Sequence, residues 1–307
     1  MNNKRILGHP VHTFFNFSEL ASLADSCMDQ ISETGAVLMS LTCDNPSSNW
    51  SMLNHLGANL NYRSLKVSLD KKNVLGTPVF ETLDACHLLK LVCNAFGTLK
   101  VFEDINGDKI KWSYIDELLK IQEKEGLHLC NKLRRAHVEW EANKMCTRLA
   151  AQLFSNSVAN AIDFCRDHLK LEQFIGSEPT AKFIRLMNNM FDVLNSKKKF
   201  DRDCKKPLSK ENGHDFKLLF KANVDYLLGL KLSSGKKLVD TPRSRAFVGF
   251  VSLMKSIEYV FNSYVLTGHL EYLLTFKLSQ DHLGLIFYIS QFPCCRCDRH
   301  PAISTLF

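Results

Sequence analysis

The sequence lacks the features that would place it in a membrane or outside the cell. No apolar run in its 307 residues approaches the ~20 that a membrane-spanning helix needs. The N-terminal stretch "MNNKRILGHPVHTFF" has no apolar core of a secretory signal peptide. The eleven cysteines show no framework spacing before the C-terminal tail, and several lie in apolar helical runs, where a thiol packs as a small hydrophobe. We therefore expect an intracellular protein, nuclear or cytoplasmic, in a reducing compartment.

Nucleotide and zinc signatures are also missing. No Gly-x-x-x-x-Gly-Lys-Ser/Thr loop occurs, so the spacing of residues does not by itself suggest a nucleotide site. The tail contains Cys294, Cys295, Cys297 and His300, but this spacing is unlike that of structural zinc sites, and adjacent cysteines rarely converge on one ion. We interpret residues 291–307 as a divergent tail rather than a zinc site.

A modest excess of positive charge is the main compositional signal. Lys and Arg total 39 against 32 Asp and Glu, which gives a formal net charge of +7. Such an excess suits a polyanionic partner but is also common on ordinary soluble surfaces, so charge alone does not decide. Hydrophobic residues make up 45% of the chain, enough for the core of one large domain or two smaller ones.

The N-terminal part of the chain predicts an α/β layer. Apolar residues at helical spacing follow Ser18, a candidate N-cap, and predict an amphipathic helix that ends near Gly35. The run "AVLMSLTC" (36–43) predicts a buried strand, which the turn-rich "DNPSSN" closes. A second buried strand is predicted at "VFETL" (79–83), followed at once by a helix.

The rest of the chain predicts mainly helices. From Ile110 to about Leu194 the pattern is helical, with short polar turns between helices. The stretch 195–214 is rich in lysine and interrupted by proline and glycine, so it predicts a solvated loop or linker, with a dedicated nucleic-acid contact as the alternative. Further helices are predicted over 215–232 and from about 250 to 264, separated by the basic turn "SSGKKLVDTPRSR".

One carboxylate stands at a position suited to chemistry. In "LDACHLLKLVCNAFG" (83–97), Asp84 lies between a predicted buried strand and a predicted helix. There it can cap the helix, or it can hold a metal ion against a phosphate. His87 and Lys90 follow on the helix, where they are either close to a phosphate or merely solvated. The residues themselves leave both alternatives open.

The order of several long motifs resembles one family. The motifs are "SLTCDNPSSNWSMLNHLG", "LDACHLLKLVCNAFG", "IKWSYIDELLKIQEKEGLHLCNKLRRAHVEWEANKMCTRLAAQLFSNSVANAI", "FDVLNSK", "TPRSRAFVGF" and "YLLTFKLSQDHLGLIFYI". Together they are similar to the P-element-type transposases, including the vertebrate transposases that carry a THAP domain. The likeness runs from about residue 6 to about residue 290.

This resemblance implies an α/β RNase H-like fold with an incomplete sheet, interrupted by a mostly α-helical insertion domain that binds GTP in that family. The expected division is an N-terminal RNase H-like part at 1–107, the insertion at 108–235 with the loop 195–214, a C-terminal RNase H-like part at 236–290, and the tail.

The resemblance also implies a Mg²⁺-dependent DNA transposase, whose two metal ions need three converging carboxylates. Asp84 matches the second aspartate of the family by position and context. The first would lie upstream of the segment where this chain starts, and Gly284 occupies the position of the glutamate. Asp44 and Asp281 are candidate replacements, but a turn role fits Asp44 better and a helix-capping role fits Asp281 better.

Contacts with GTP follow from the resemblance alone. The candidates are basic and polar side chains of the insertion: Lys132, Arg134, Arg135, Lys144, Asp192 and Asn195. Each can instead be a solvated helix charge or a salt-bridge partner. Cys93 stands where the family commonly has Arg, so we expect this position not to bind a phosphate.

We therefore expect a degenerate or domesticated fragment of a P-element-like transposase, without strand-cutting activity but with binding of DNA or GTP. The alternative is an active, divergent, metal-dependent nuclease. The sequence carries no THAP zinc finger, so the DNA binding is expected to be non-specific. Full-length relatives are candidate partners in an oligomer, and no membrane partner is expected.

Overall fold

A computed structural model describes residues 16–126, 129 and 131–280. The first elements are α1 (Phe17–Glu33), β1 (Ser40–Cys43), α2 (Ser47–His55), β2 (Ser68–Lys72), β3 (Pro78–Leu83) and α3 (Ala85–Leu99). Then come β4 (Val101–Glu103), β5 (Lys109–Lys111), α4 (Ser113–Glu125), α5 (Arg135–Val138), α6 (Thr147–Leu153), α7 (Asn156–Asp167) and α8 (Glu178–Leu194). The last are β6 (Leu208–Ser209), α9 (Gly213–Gly229), α10 (Ser244–Val260) and β7 (Tyr272–Leu273).

The N-terminal elements build a three-stranded sheet in the order β1-β3-β2. β1 runs parallel to β3, from Ser40 opposite Phe80 to Cys43 opposite Leu83, and β2 runs antiparallel to β3. All residues of β3 after the first are buried. The apolar run at 79–83 therefore forms the central strand, as predicted.

The segment predicted as a buried strand at 36–43 differs from the structure. β1 begins at Ser40, and only Cys43 is buried, because β1 lies at the edge of the sheet. The turn-rich segment that follows starts the short helix α2, with Pro46 at its N-cap. Neither α2 nor β2 has a strong periodic signal, and the sequence did not predict them.

α1 confirms the predicted amphipathic helix, but its cap is Asn16 rather than Ser18. The Asn16 side chain accepts a hydrogen bond from the backbone N–H of Glu19 at 2.9 Å, and the Glu19 carboxylate accepts one from the Asn16 N–H at 2.9 Å. This reciprocal pair is a capping box, which satisfies two N–H groups that have no partner within the helix.

Two helices cover the sheet and fix its position. α3 follows β3 directly, and α10 packs against both β3 and α3. The contact is close: a Cβ built at Gly249 of α10 would lie 2.4 Å from a methyl carbon of Leu88 on α3. Glycine at this position lets the two helices approach. α10 confirms the helix predicted from about 250 to 264, and a single π-helical turn at Phe261–Leu266 extends it.

The block predicted to be helical from Ile110 onward opens with a β-hairpin instead. β4 and β5 pair antiparallel, with Phe102 opposite Ile110, and both side chains are fully buried. Each strand is only three residues long. That is too short for the alternation of apolar and polar residues in a strand to be recognised in the sequence.

Beyond the hairpin the block is mainly helical, as predicted, but residues 139–146, between α5 and α6, form no helix. The Asn143 side chain donates hydrogen bonds to the carbonyls of Ala136 and Glu139, both at 3.1 Å, and so ends the first helical segment. Ser155 caps the start of α7. These local side-chain bonds compete with helical bonds, and the chain forms three short helices, α5, α6 and α7, rather than one continuous helix.

The C-terminal part of the described chain returns to the rest of the fold. β7 pairs antiparallel with β6, with Leu273 opposite Leu208. Within the described residues, no helix is both long and apolar enough to cross a bilayer. The predictions for Asp281, Gly284 and the cysteine-containing tail lie outside the described residues.

Candidate functional site

Two aspartates stand side by side at one edge of the sheet. Asp44 follows β1 and Asp84 follows β3. These strands are parallel with Cys43 opposite Leu83, and the Asp84 N–H donates to the Cys43 carbonyl at 3.0 Å. The carboxyl ends of parallel strands thus bring the two side chains to the same place.

Both carboxylates accept hydrogen bonds from their own surroundings. Asp84 is the N-cap of α3 and accepts from the N–H groups of Cys86 at 3.4 Å and His87 at 3.2 Å. Asp44 accepts from the side-chain amide of Asn49 at 2.6 Å. The structure therefore shows Asp84 acting as a helix cap, whereas Asp44 is bonded to a side chain of α2 rather than making a backbone turn hydrogen bond.

The described residues do not fit a pair of magnesium ions. They contain no group of three or more His, Cys, Asp or Glu side chains arranged to hold a metal ion. Asp44 and Asp84 alone supply fewer ligands than a two-metal site needs, and hydrogen bonds already occupy part of both carboxylates. We therefore assign no metal-dependent step to these residues.

The helix face beyond Asp84 is partly buried and mixed in charge. Burial lowers the pKa of His87, and Lys90 lowers it further, while Asp44 and Asp84 act in the opposite direction. The imidazole is therefore neutral at neutral pH. Burial also raises the pKa of the Cys93 thiol to about 12, so Cys93 packs as a small hydrophobe and supplies no charge to a phosphate.

A basic pocket of about 270 Å³ lies next to this edge. Its walls come from the loop after β1, from α3, from the turn after α5 and from the start of α10. The polar, charged and aromatic side chains that line it are Asn45, Asn94, Trp140, Lys144, Arg243 and Arg245.

Hydrogen bonds and ring packing tie these walls together. The Asn45 amide donates to the Arg245 carbonyl at 3.0 Å, and the Asn94 amide donates to the Lys144 carbonyl at 3.3 Å. The Lys144 ammonium lies 5.3 Å from the centroid of the Trp140 ring. The pocket is thus held by bonds between segments that are far apart in the chain.

The cations of this pocket carry no internal counter-charge. Lys144, Arg243 and Arg245 are exposed, and no carboxylate of the described residues lies within ion-pair distance of them. Of the three, the sequence had singled out only Lys144. The signal that could have revealed the other two is the pair of arginines in "TPRSR", which flank the first residue of α10.

The other predicted GTP contacts fall into separate places. Arg135 is paired with Glu123 at 2.9 Å, and Lys132 and Arg134 are exposed side chains near the start of α5. No hydrogen bond or ion pair within the described residues joins them to Asp192 or Asn195.

Asp192 and Asn195 lie together at the end of α8. Asp192 accepts from the Asn188 amide at 3.1 Å and lies 3.8 Å from the Lys205 ammonium. Burial raises its pKa, which Lys205 and Asn188 partly offset. The side-chain oxygen of Asn195 is buried and accepts no hydrogen bond from the described residues. The half-buried Asp192 carboxylate can accept bonds from a planar group with several donors.

The fold is mixed α/β. Along the chain, a mainly helical block lies between α3 and α10, the two helices that pack on the small sheet. Residues 86–207 match the family model described as "TNP-like, GTP-binding insertion domain". That match starts before the expected boundary at 108 and ends before 235.

Two characterised proteins are similar over much of this chain. The human DNA transposase THAP9 is 27% identical over 267 residues, which are 86% of this chain and 29% of THAP9. The Drosophila melanogaster transposable element P transposase is 28% identical over 207 residues, which are 66% of this chain and 26% of that protein. The chain therefore spans under a third of the length of either relative.

A solved structure supports the fold. The chain in the Drosophila P element transposase strand transfer complex superposes with a TM-score of 0.73 at 23% identity, covering 89% of this chain and 58% of that one. The resemblance noted in the sequence is confirmed: the chain is a homologue of the P-element-type transposases.

Proposed function

We propose that this chain binds DNA through the sugar-phosphate backbone at the basic pocket beside Asp44 and Asp84. The observation that carries the proposal is the convergence of Lys144, Arg243 and Arg245 in one pocket without carboxylate partners among the described residues. Exposed cations of this kind neutralise phosphates and release counterions, which supplies most of the affinity in non-specific DNA binding. The names of the relatives, a DNA transposase and a strand transfer complex, agree with such a partner.

We further propose that the sheet with α1, α3 and α10 belongs to an RNase H-like domain, divided as the resemblance implies. Two adjacent carboxylates at the ends of parallel strands support this proposal. The sequence has Gly284 where the resemblance implies the third ligand, a glutamate. We therefore propose a DNA-binding role without strand cutting.

The arginines at the start of α10 should control duplex binding. In the variant Arg243→Gln/Arg245→Gln, we expect affinity for a random-sequence duplex at low ionic strength to fall about tenfold or more. The slope of log affinity against log salt should become shallower by about 0.9 for each phosphate that the variant no longer neutralises. Fluorescence anisotropy with a labelled duplex measures both quantities.

The matched control is Lys236→Gln/Lys237→Gln, which removes the same charge from exposed lysines in the preceding turn. An equal fall in affinity in both variants would show that only net charge matters and would contradict a pocket. Incubation of the wild-type chain with supercoiled plasmid and Mg²⁺ tests the second half of the proposal. Nicking that disappears in Asp84→Asn would overturn it in favour of an active nuclease.

A second proposal concerns GTP, and the arrangement at the end of α8 favours it. The guanine edge presents two neighbouring donors, N1–H and the N2 amino group. The Asp192 carboxylate offers acceptors three residues before Asn195, whose side-chain oxygen has no hydrogen-bond partner in the described residues. Adenine has an acceptor at N1, which a carboxylate would repel. We therefore propose that Asp192 and Asn195 hold guanine in the insertion domain and prefer it to adenine.

Replacing the carboxylate of this site should weaken GTP binding selectively. In Asp192→Asn, one acceptor becomes an amide donor facing guanine donors, so we expect at least about a tenfold loss of affinity for a fluorescent GTP analogue, since hydrogen bonds to charged groups contribute ~1.5–3 kcal/mol. Asp225→Asn, an exposed carboxylate on α9, is the control and should bind as wild type. Equal competition by ATP and GTP would refute the guanine assignment.

A further inference from the structure

The lysine-rich segment after α8 is anchored at its start by three hydrogen bonds. The Ser196 N–H donates to the Thr275 hydroxyl at 3.0 Å, and the Ser196 hydroxyl donates to the Lys205 carbonyl at 2.7 Å. The Phe276 N–H donates to the Ser196 carbonyl at 3.1 Å. Further on, β6 pairs with β7. The residues between these bonds are mainly solvent-exposed, and the bonds hold the two ends of the loop against the rest of the fold.

The anchored loop presents a phenylalanine to solvent. Phe200 is 88% exposed, more than any other large hydrophobic side chain in the described residues. Its neighbours in the chain are charged, and the Lys199 ammonium lies 6.0 Å from its ring centroid. The exposed ring gains no free energy of burial within this chain, so on a loop held at both ends and among cations it is available for contact with a partner.

Positive charge dominates the same loop. The exposed cations are Lys197, Lys198, Lys199, Arg202, Lys205 and Lys206, against the two carboxylates Asp201 and Asp203. Lys199 is paired with Glu271 at 3.3 Å, and Lys205 lies 3.8 Å from Asp192. Lys198, Arg202 and Lys206 have no carboxylate within ion-pair distance in the described part of the chain. The loop therefore offers free cations to an anionic partner.

A groove of about 590 Å³ runs beside the loop and combines aromatic and cationic lining. Tyr272 and Lys199 form one wall, with the ammonium 4.9 Å from the tyrosine ring centroid. Lys210 and Leu270 also line the groove. Its size matches that of pockets that hold small organic ligands, so one nucleotide fits within it.

We infer that this surface, which we call the Phe200 platform (Lys198, Lys199, Phe200, Arg202 and Tyr272), binds single-stranded nucleic acid. Cations track the phosphates, and exposed aromatic rings stack on bases, which is the general mode of single-strand binding. In a duplex the faces of the bases are already stacked on each other, so Phe200 contributes little to the affinity for a duplex. The platform shares no residue with the basic pocket proposed above and stands independently of that proposal.

Removing the exposed ring should weaken single-strand binding selectively. With a labelled oligothymidylate as the probe, Phe200→Ala in the full chain should reduce affinity about tenfold, because the base that stacks on this ring loses its contact. Affinity for a labelled duplex of equal length should change less than about twofold. Lys198→Gln/Arg202→Gln should also weaken oligothymidylate binding and flatten its salt slope by about 0.7 for each phosphate that the variant no longer neutralises.

Two controls keep the result specific. Phe164→Ala removes another partly exposed ring, on α7, and should bind oligothymidylate as wild type. The Arg243→Gln/Arg245→Gln variant should have reduced affinity for the duplex. When Phe200→Ala is added to that variant, affinity for oligothymidylate should fall by the same factor as in the wild-type background. The inference is wrong if the wild-type chain does not bind oligothymidylate, or if Phe200→Ala affects single strand and duplex alike. Either outcome leaves the duplex result of the basic pocket unchanged.

Discussion

Phe183→Ala should lower the free energy of unfolding by about 3–5 kcal/mol, the cost of removing a large aromatic side chain from a close-packed core. Phe183 on α8 is fully buried. Its ring meets those of Phe96, Phe102 and Phe154 edge to face, at centroid distances of 5.6, 5.2 and 5.8 Å. These partners come from α3, from the hairpin and from the end of α6, so one ring joins the sheet's first covering helix to the helical block. Urea unfolding monitored by circular dichroism measures the decrease.

A milder change and a surface control make the result interpretable. Phe183→Leu keeps part of the packing and should cost less than Phe183→Ala, which preserves a measurement if the alanine variant does not fold. Phe164→Ala changes a ring that is 41% exposed and should cost under about 1 kcal/mol. Equal decreases at positions 164 and 183 would show that this cluster does not join the two parts of the fold.

Much of the fold could be predicted from apolar periodicity. α1, β3, α3, α8, α9 and α10 have long or strongly apolar patterns, and the structure places helices and a strand there. The errors occurred where a few side chains override the pattern. After α5, the Asn143 side chain bonds the carbonyls of Ala136 and Glu139 in place of helical bonds. The strands of the hairpin are too short to show a period.

The candidate site was harder to predict because its walls are distant in sequence. Asp84 stood out because one strand and one helix meet there. The basic pocket depends on contacts such as the bond from Asn45 to the Arg245 carbonyl, which spans 200 residues. Both residues lie in the quoted motifs, but nothing in the sequence shows that they meet, and the packing of α10 against β3 and α3 brings them together. Local pattern therefore identifies a carboxylate at a strand end, whereas tertiary contacts assemble the cations around it.

A buried acid behind the same sheet was also invisible to the sequence. Glu81 lies in β3 and is fully buried. The hydroxyls of Ser252 and Ser256 on α10 both donate to one of its oxygens, the latter at 3.1 Å. Its second oxygen is buried without a hydrogen bond from the described residues. Burial raises the pKa of Glu81 to about 7, and the two serines lower it.

This acid should make the protein less stable as pH rises through a defined window. The ordinary pKa of a glutamate is 4.5, and Glu81 in the fold ionises near 7. Between those values the unfolded chain loses the proton while the folded chain keeps it, so the folded state binds more protons and stability falls with increasing pH. Above about 7 both states are ionised, and the decrease levels off at on the order of 3 kcal/mol.

Glu81→Gln should remove this dependence, because an amide keeps the serine contacts and does not ionise. The quantity to compare is the difference in unfolding free energy between wild type and Glu81→Gln, measured by urea titration at about pH 4.5 and pH 8. That difference cancels the contributions of His87 and His137, whose pKa values burial lowers. We expect the unfolding free energy of Glu81→Gln to increase relative to that of wild type as pH rises. A constant difference would mean that Glu81 has the same pKa in the folded and unfolded chains, and would contradict the effect of its burial.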